Sequence, residues 1–390
     1  MLTAATFIIF FQAYMVAPII PTLATRFGAS VQTVGFVVPA YLIPYGIATL
    51  VYGLLADRLG AQRVMFASLA AFAVLTALTA TATSIDQIVV WRVLTGLGAS
   101  GVVPLALVLV GRLFPYAQRG RPLGWLFGAM AGGMAVGTPL GSILVRFIGW
   151  RGLFLVAGAA GGVSLLLFVP YRRMIAAAMQ PVGGSLGDLF RGYRSLLGTA
   201  RGQRTYGYVL VNSMFQSGVF TWLGVYFERR YGLGPVGIGL ALLGYGVPGF
   251  LLGPLIGRAA DKWGRARLLP IGLALGALAA AVLLVDFPLA LAPIVVMALS
   301  LGYDMTQPLF GGIVTALGGK RPGQAMGLNV FALFVGFGLG SIVFGELLHA
   351  GFGPALWAFA AVELSLAVGS LWLFRSEMPH AVTGRSAGAR

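Results

Sequence analysis

The sequence predicts an all-α integral membrane protein, with twelve transmembrane helices in two pseudo-symmetric six-helix halves. Three observations lead there. Apolar runs of about 20 residues recur along all 390 residues, each long enough to cross a bilayer. Only 9% of residues are charged and 58% are hydrophobic, more apolar surface than a soluble chain of this length can hide. A short charged loop also occurs twice: Gly53-Leu-Leu-Ala-Asp57-Arg58-Leu-Gly60 and Gly257-Arg-Ala-Ala-Asp261-Lys262-Trp-Gly264-Arg265. The two copies lie 204 residues apart, counted from Asp57 to Asp261. A duplicated membrane bundle is the simplest source of that pattern.

Each span follows from an apolar run bounded by charge or turn residues. The first half has spans at 4–26, 33–55, 64–83, 88–110, 123–146 and 152–170. The second has 205–228, 236–258, 268–286, 289–312, 325–348 and 355–374. The organisation is therefore an N-terminal half over 1–170, a central loop over 171–204, a C-terminal half over 205–374 and a tail over 375–390. The 58 glycines, about twice the usual share, suit close packing of membrane helices.

The net charge of +16 follows this topology. Loops after spans 2, 4, 6, 8 and 10, with the tail, hold 20 of the 26 Lys and Arg. The opposite side holds Arg26, Arg146, Arg151, Arg229 and Arg230, and Arg92 lies within a span. Positive-inside reasoning puts both termini in the cytoplasm of a cytoplasmic (inner) membrane, so the charge reports orientation toward the lipid bilayer and not nucleic acid. The central loop carries six arginines and an amphipathic segment at 186–197, expected to lie on the membrane. Met1-Leu-Thr-Ala lacks the basic start of a cleavable leader, and a longer natural N-terminus is expected.

The chain has no Cys and two His, His349 and His380, so disulfides, thiol catalysis and histidine metal clusters are excluded. No Walker loop and no nucleophile–base cluster is present, so neither an ATP-driven pump nor an enzyme is expected, and no cofactor or metal.

With its two charged loops and basic centre, the whole chain resembles the major facilitator superfamily. Gly53, Leu55, Ala56, Asp57, Arg58 and Gly60 match its Gly-x-Leu-Ala-Asp-Arg-x-Gly loop, although later basic positions are Ala61 and Gln62. The resemblance implies a gating role for Gly53, Asp57, Arg58 and Gly60, and for Gly257, Asp261, Lys262, Gly264 and Arg265. The alternative is tight, basic turns without a gating role. Span 4 carries Arg92-Val-Leu-Thr-Gly96-Leu-Gly98, similar to the family's Arg-x-x-x-Gly-x-Gly motif. Arg92 then serves proton coupling or substrate-anion attraction, or snorkels to the interface. Span 5 carries Gly133, Gly137, Pro139 and Gly141, and Gly149-Trp150-Arg151 follows. This resembles the Gly-Pro-rich motif of drug/proton antiporter-like and sugar-efflux-like members, with the Gly-Pro order altered. Glycines four apart make a stripe for close packing, expected against a helix of the other half.

Ionisable residues inside spans need a partner or a wet cavity. Asp304 lies deep in span 10, where Ser300, Asp304 and Gln307 share one helical face. In the family, spans 1, 4, 7 and 10 line the central cavity. A carboxyl whose protonation follows water access suits a proton-coupled carrier; a hydrogen-bonded structural Asp is the alternative. Glu363, deep in span 12, and Glu346, near the outer end of span 11 beside His349, are further proton-coupling candidates, with pairing to another helix or interface exposure as the alternatives. Substrate-contact candidates are Gln12, Tyr14, Tyr41, Tyr45, Gln307, Asn329 and the stripe Tyr208, Asn212, Gln216; interhelical hydrogen bonding serves equally for each.

The resemblance implies a secondary active transporter working by alternating access, a monomer sufficing. Its expected activity is proton-coupled efflux of a small organic solute, with Asp304 carrying the proton and Arg92 tuning it. Uptake of a metabolite and lipid flipping fit the same fold, and a non-transporting membrane sensor fits less well.

Overall fold

In the computed structural model, residues 1–114, 120–178, 186–319 and 322–377 are described. They form helices and no strand. The first half runs α1 (Leu2–Tyr14), α2 (Ile20–Phe27), α3 (Val31–Gly35), α4 (Pro39–Leu59), α5 (Ala61–Thr79), α6 (Ile85–Ala99), α7 (Val102–Leu113) and α8 (Gly120–Phe168). The central segment holds α9 (Arg172–Ala178) and α10 (Leu186–Leu197). The second half runs α11 (Ala200–Tyr231), α12 (Pro235–Ala241), α13 (Val247–Trp263), α14 (Arg265–Val282), α15 (Ala292–Gly318), α16 (Pro322–Leu347) and α17 (Phe352–Leu373).

Nine stretches of the described residues are long and apolar enough to cross a membrane. One of them, Trp125–Ala178, merges expected spans 5 and 6; Gly149 (φ 68°) breaks its helix between them. Two expected spans are not among the nine. The first, 205–228, lies in α11, whose polar stripe and charged ends dilute its hydropathy. The second, 236–258, is split between the 7-residue α12 and the 17-residue α13.

The duplication is visible in the backbone. Gly60 (φ 89°, ψ 129°) and Gly264 (φ 84°, ψ 149°) make the same turn, with φ values that favour Gly, at equivalent points of the two charged loops. Gly28 (φ 61°) and Gly232 (φ 65°) end α2 and α11 in the same left-handed cap, again 204 residues apart. One continuous apolar core joins the halves. Across it α4 packs on α16, and α8 packs on α12 and α13.

One expectation about packing is corrected. Gly133, Gly137 and Gly141 face α1 of their own half, not the other half. A Cβ at each would stand 2.6 Å from the backbone oxygens of Phe7, Phe11 and Met15, respectively. Residues four apart form a single stripe, and α8 meets the other half through a neighbouring one. There Gly246 abuts Ala135, Gly239 abuts Pro139 and Ile143, and Ser142 Oγ donates to Pro235 O at 2.7 Å.

The amphipathic helix also forms where expected, as α10, but it docks on the bundle. Tyr193 and Leu196 are buried against Tyr206, Val314, Ala325 and Leu328. The Tyr193 hydroxyl reaches across to the first half and donates to Leu50 O at 3.1 Å. Phe190 and Leu197 of the same helix remain exposed, so the bundle takes only part of its apolar surface. Tyr193→Phe removes one bond between halves, worth about 1 kcal/mol. The expected result is an about fivefold shift toward separation at this end, read as faster alkylation of a cysteine placed at Leu50.

Candidate functional site

Where the halves meet, aromatic side chains close over the centre of the bundle. Tyr14 of α1, Leu42 of α4, Phe220 of α11 and Phe337 of α16 enclose it together with Tyr245, from the turn between α12 and α13. Phe220 stacks on Tyr245 at 4.0 Å between ring centroids, and Tyr14 lies 5.5 Å from Phe220. Gln216 Nε2 donates to the Tyr245 hydroxyl at 3.2 Å. The free volume is about 10 Å³, about one water. A solute of any size therefore enters only by moving these rings or the halves. Of the expected contacts, Tyr14 and Gln216 belong to this centre.

Tyr245, Phe220 and Phe337 were not foreseen in the sequence. Aromatics abound in membrane spans, and only contact across the halves distinguishes these three.

Asp304 is half-buried on α15 beside this centre. Its Oδ2 accepts from Gly249 N and from Ser300 Oγ, both at 2.9 Å. Tyr14, Tyr245 and Tyr303 lie within reach of its charge. The expected Ser300–Asp304 pairing is present. Gln307, the third residue expected on that face, turns its amide toward Thr306 Oγ1 at 3.4 Å.

Arg92 is fully buried on α6. Its Nε donates to Val37 O at 3.0 Å, and its guanidinium lies 4.3 Å from the centroid of the Tyr41 ring. These contacts rule out snorkelling and do not bring Arg92 to Asp304, so the expected tuning of one by the other has no direct contact behind it. Val37 O is left out of the backbone ladder because, at the start of α4, Tyr41 N turns to Val38 O at 3.1 Å. Gly96 lets α6 approach, since a Cβ there would strike Tyr41 O. The Arg-x-x-x-Gly spacing thus seats α6 on the break between α3 and α4. Arg92→Lys loses the planar stacking and the Nε donor together, with an expected cost of about 1–3 kcal/mol. Thermal unfolding in detergent measures it.

The remaining candidates separate by location. Asn212 Nδ2 donates to Thr306 Oγ1 at 2.7 Å, and Tyr208 donates to Leu366 O at 3.2 Å, so the α11 stripe holds its own half together below Gln216. Gln12 and Asn329 are buried, and Tyr45 stacks on Phe334 at 4.3 Å. Glu363 is 1% exposed, within reach of Tyr208 and Tyr303. Glu346 and His349 are exposed, 3.9 Å apart.

In the first charged loop, Gly53, Asp57 and Arg58 are exposed, and Asp57 lies within reach of Arg112 at the end of α7. In the second, Lys262 is exposed and Arg265 lies across Gly312 of α15. The surroundings of Gly257 and the side chain of Asp261 lie outside the described residues, as does His380.

The sequence profile of the Major Facilitator Superfamily matches residues 2–251 and 205–389. The chain belongs to that family. This facilitator is thus a multi-pass membrane transporter and not an enzyme, and its family implies a small-molecule substrate and a lipid bilayer around it. It is 26% identical over 93% of its length to an uncharacterized MFS-type transporter, YwfA, of Bacillus subtilis (strain 168), covering 87% of that protein. It is 28% identical to a chloramphenicol resistance protein of Streptomyces lividans, over 88% of each chain. Over a shorter stretch, 39% of this chain and 33% of the other, it is 34% identical to the 4-hydroxybenzoate transporter PcaK of Acinetobacter baylyi.

Proposed function

We propose that this facilitator exports a small organic molecule in exchange for protons across a bacterial cytoplasmic membrane, with both termini inside and Asp304 carrying the proton. One observation carries the reading. Asp304 is a carboxyl deep in the bundle, beside the aromatic centre where the halves meet, and its known partners are neutral groups. A carboxyl there gains and loses a proton as water reaches it from one side and then the other. The uncharged aromatic lining suits an apolar or aromatic solute. The relative named for chloramphenicol resistance supports the outward direction, as does the glycine-rich α8. The proton gradient supplies the energy, and no cofactor enters the scheme.

The experiment compares cells and spent medium by mass spectrometry in a deletion strain, an overexpressing strain and a strain overexpressing Asp304→Asn at equal protein level. Chloramphenicol is added as one trial solute. Enrichment of a compound in the medium that the variant does not produce is the expected result. Depletion from the medium instead makes the protein an importer.

A further inference from the structure

Arg92 in the first half and Asp304 in the second meet the backbone in parallel ways. In each half, the second span is broken, between α3 and α4 and between α12 and α13. Each break is followed by a proline, Pro39 or Pro248, that cannot continue the ladder. In each half, the helix bearing the deep charge lies across that break. Arg92 meets a freed carbonyl, Val37 O, while Asp304 meets a freed amide, Gly249 N. The signs match the backbone groups each charge faces, a cation on a C=O and an anion on the N–H groups opening the 17-residue α13. The second break carries one more bond, because Gly246 N donates to Ser300 Oγ at 2.9 Å while Ser300 Oγ donates to Asp304.

The break in the second half also touches the first half. Gly246 adopts φ +75°, and a Cβ there would stand 2.8 Å from Ala135 N on α8. The chain Asp304–Ser300–Gly246–Ala135 therefore runs from the carboxyl to the contact between halves through three successive close contacts.

We propose that Ser300 is a positioning residue that couples the charge on Asp304 to the shape of the break at 242–246, and through Gly246 to the α8 contact. This rests on Asp304 as the proton carrier. With Asp304 ionised, Oδ2 holds Gly249 N and orients the Ser300 hydroxyl, leaving the Ser300 oxygen free to accept from Gly246. A proton arriving from water on one side adds to the carboxyl. The charge is lost, and both bonds to Oδ2 fall from charge-assisted to ordinary strength. The start of α13 loses its counter-charge, and the turn carrying Gly246 loosens against α8. Arg92 keeps its charge, so the matching break in the first half stays fixed while its counterpart responds.

The groups around Asp304 leave it the proton-dependent member. Tyr14, Tyr245 and Tyr303 face it from α1, the break and its own helix. On α14, Arg265 meets α15 two turns away at Gly312. On α13, Arg258 and Lys262 are exposed toward its far end, and Glu346 of α16 is exposed. Tyr208 of α11 is bonded to α17, whose Glu363 reaches Tyr303.

The test is hydrogen–deuterium exchange of the full chain in nanodiscs at pH 8 and pH 5, corrected for intrinsic exchange and requiring no substrate. In the wild type, protection across 242–250 is expected to fall about tenfold at the lower pH, the size of one charge-assisted bond weakened. Asp304→Asn is expected to remove that response. Ser300→Ala should abolish it over 242–246 and retain it at Gly249, and Ser300→Thr, which keeps the hydroxyl, should restore it. A purely structural Ser300 would lower stability without altering the pH response. Protection that is flat with pH in the wild type, or a full response in Ser300→Ala, overturns the coupling. Proton-driven transport is measured on the same proteins. A flat break with transport lost in Asp304→Asn overturns the coupling alone. A responsive break with transport intact in that variant supports the coupling and overturns Asp304 as the carrier.

Discussion

Asp304→Asn is expected to reduce uphill transport to passive equilibration while substrate exchange continues. A pH difference of 2 units stores about 2.7 kcal/mol per proton, which sustains an about 100-fold gradient of a neutral solute at one proton per cycle. Asparagine keeps the size of the side chain and an oxygen that can accept from Gly249 N, as Asp304 Oδ2 does at 2.9 Å. What it loses is the ability to bind and release a proton. The variant should therefore fold normally, exchange labelled for unlabelled substrate near the wild-type rate, and hold a gradient close to 1 under the same pH difference. Proteoliposomes with an imposed gradient measure all three. A variant that still accumulates substrate about 100-fold makes Asp304 structural, and Glu363, also buried in the second half, becomes the acid to test.

Gly137→Val is expected to prevent assembly of the first half. A Cβ at this position would stand 2.6 Å from Phe11 O and 2.9 Å from Phe11 Cα, both backbone atoms of α1. No rotamer change relieves a clash with backbone, so α1 and α8 must separate along their whole contact. Overpacking in a core costs about 1–3 kcal/mol when side chains can adjust; here they cannot, and the cost falls at or above the top of that range. The measurement is the folded fraction by size-exclusion chromatography after mild solubilisation. Gly128 is the control, because a Cβ there meets only the Phe250 ring at 4.0 Å and Gly128→Ala should fold normally. Equal yields from Gly137→Val and Gly128→Ala would refute the packing argument.

The sequence alone determined the all-helical membrane class, the duplication and the family. These are set by properties the chain carries locally: runs of apolar residues, glycines at turns, and a charged loop that must recur wherever a duplicated bundle turns. The same local signals picked out Asp304 and Arg92, because a charge inside an apolar run is conspicuous without any structure. Tertiary structure decided what those residues touch. The charges looked like partners, yet each meets backbone groups freed by a broken helix in its own half; a carbonyl or amide left over at a break carries no signature in side-chain sequence. The glycine stripe of α8 announced a close contact but not its partner, since any helix can fill it, and α1 does. The helix at 186–197 showed its amphipathic face, and only tertiary packing decided that Tyr193 and Leu196 seat against α11, α15 and α16 while Phe190 and Leu197 stay exposed. Periodicity fixes which residues share a face, and the choice of what lies opposite that face is made by packing between segments far apart in the chain.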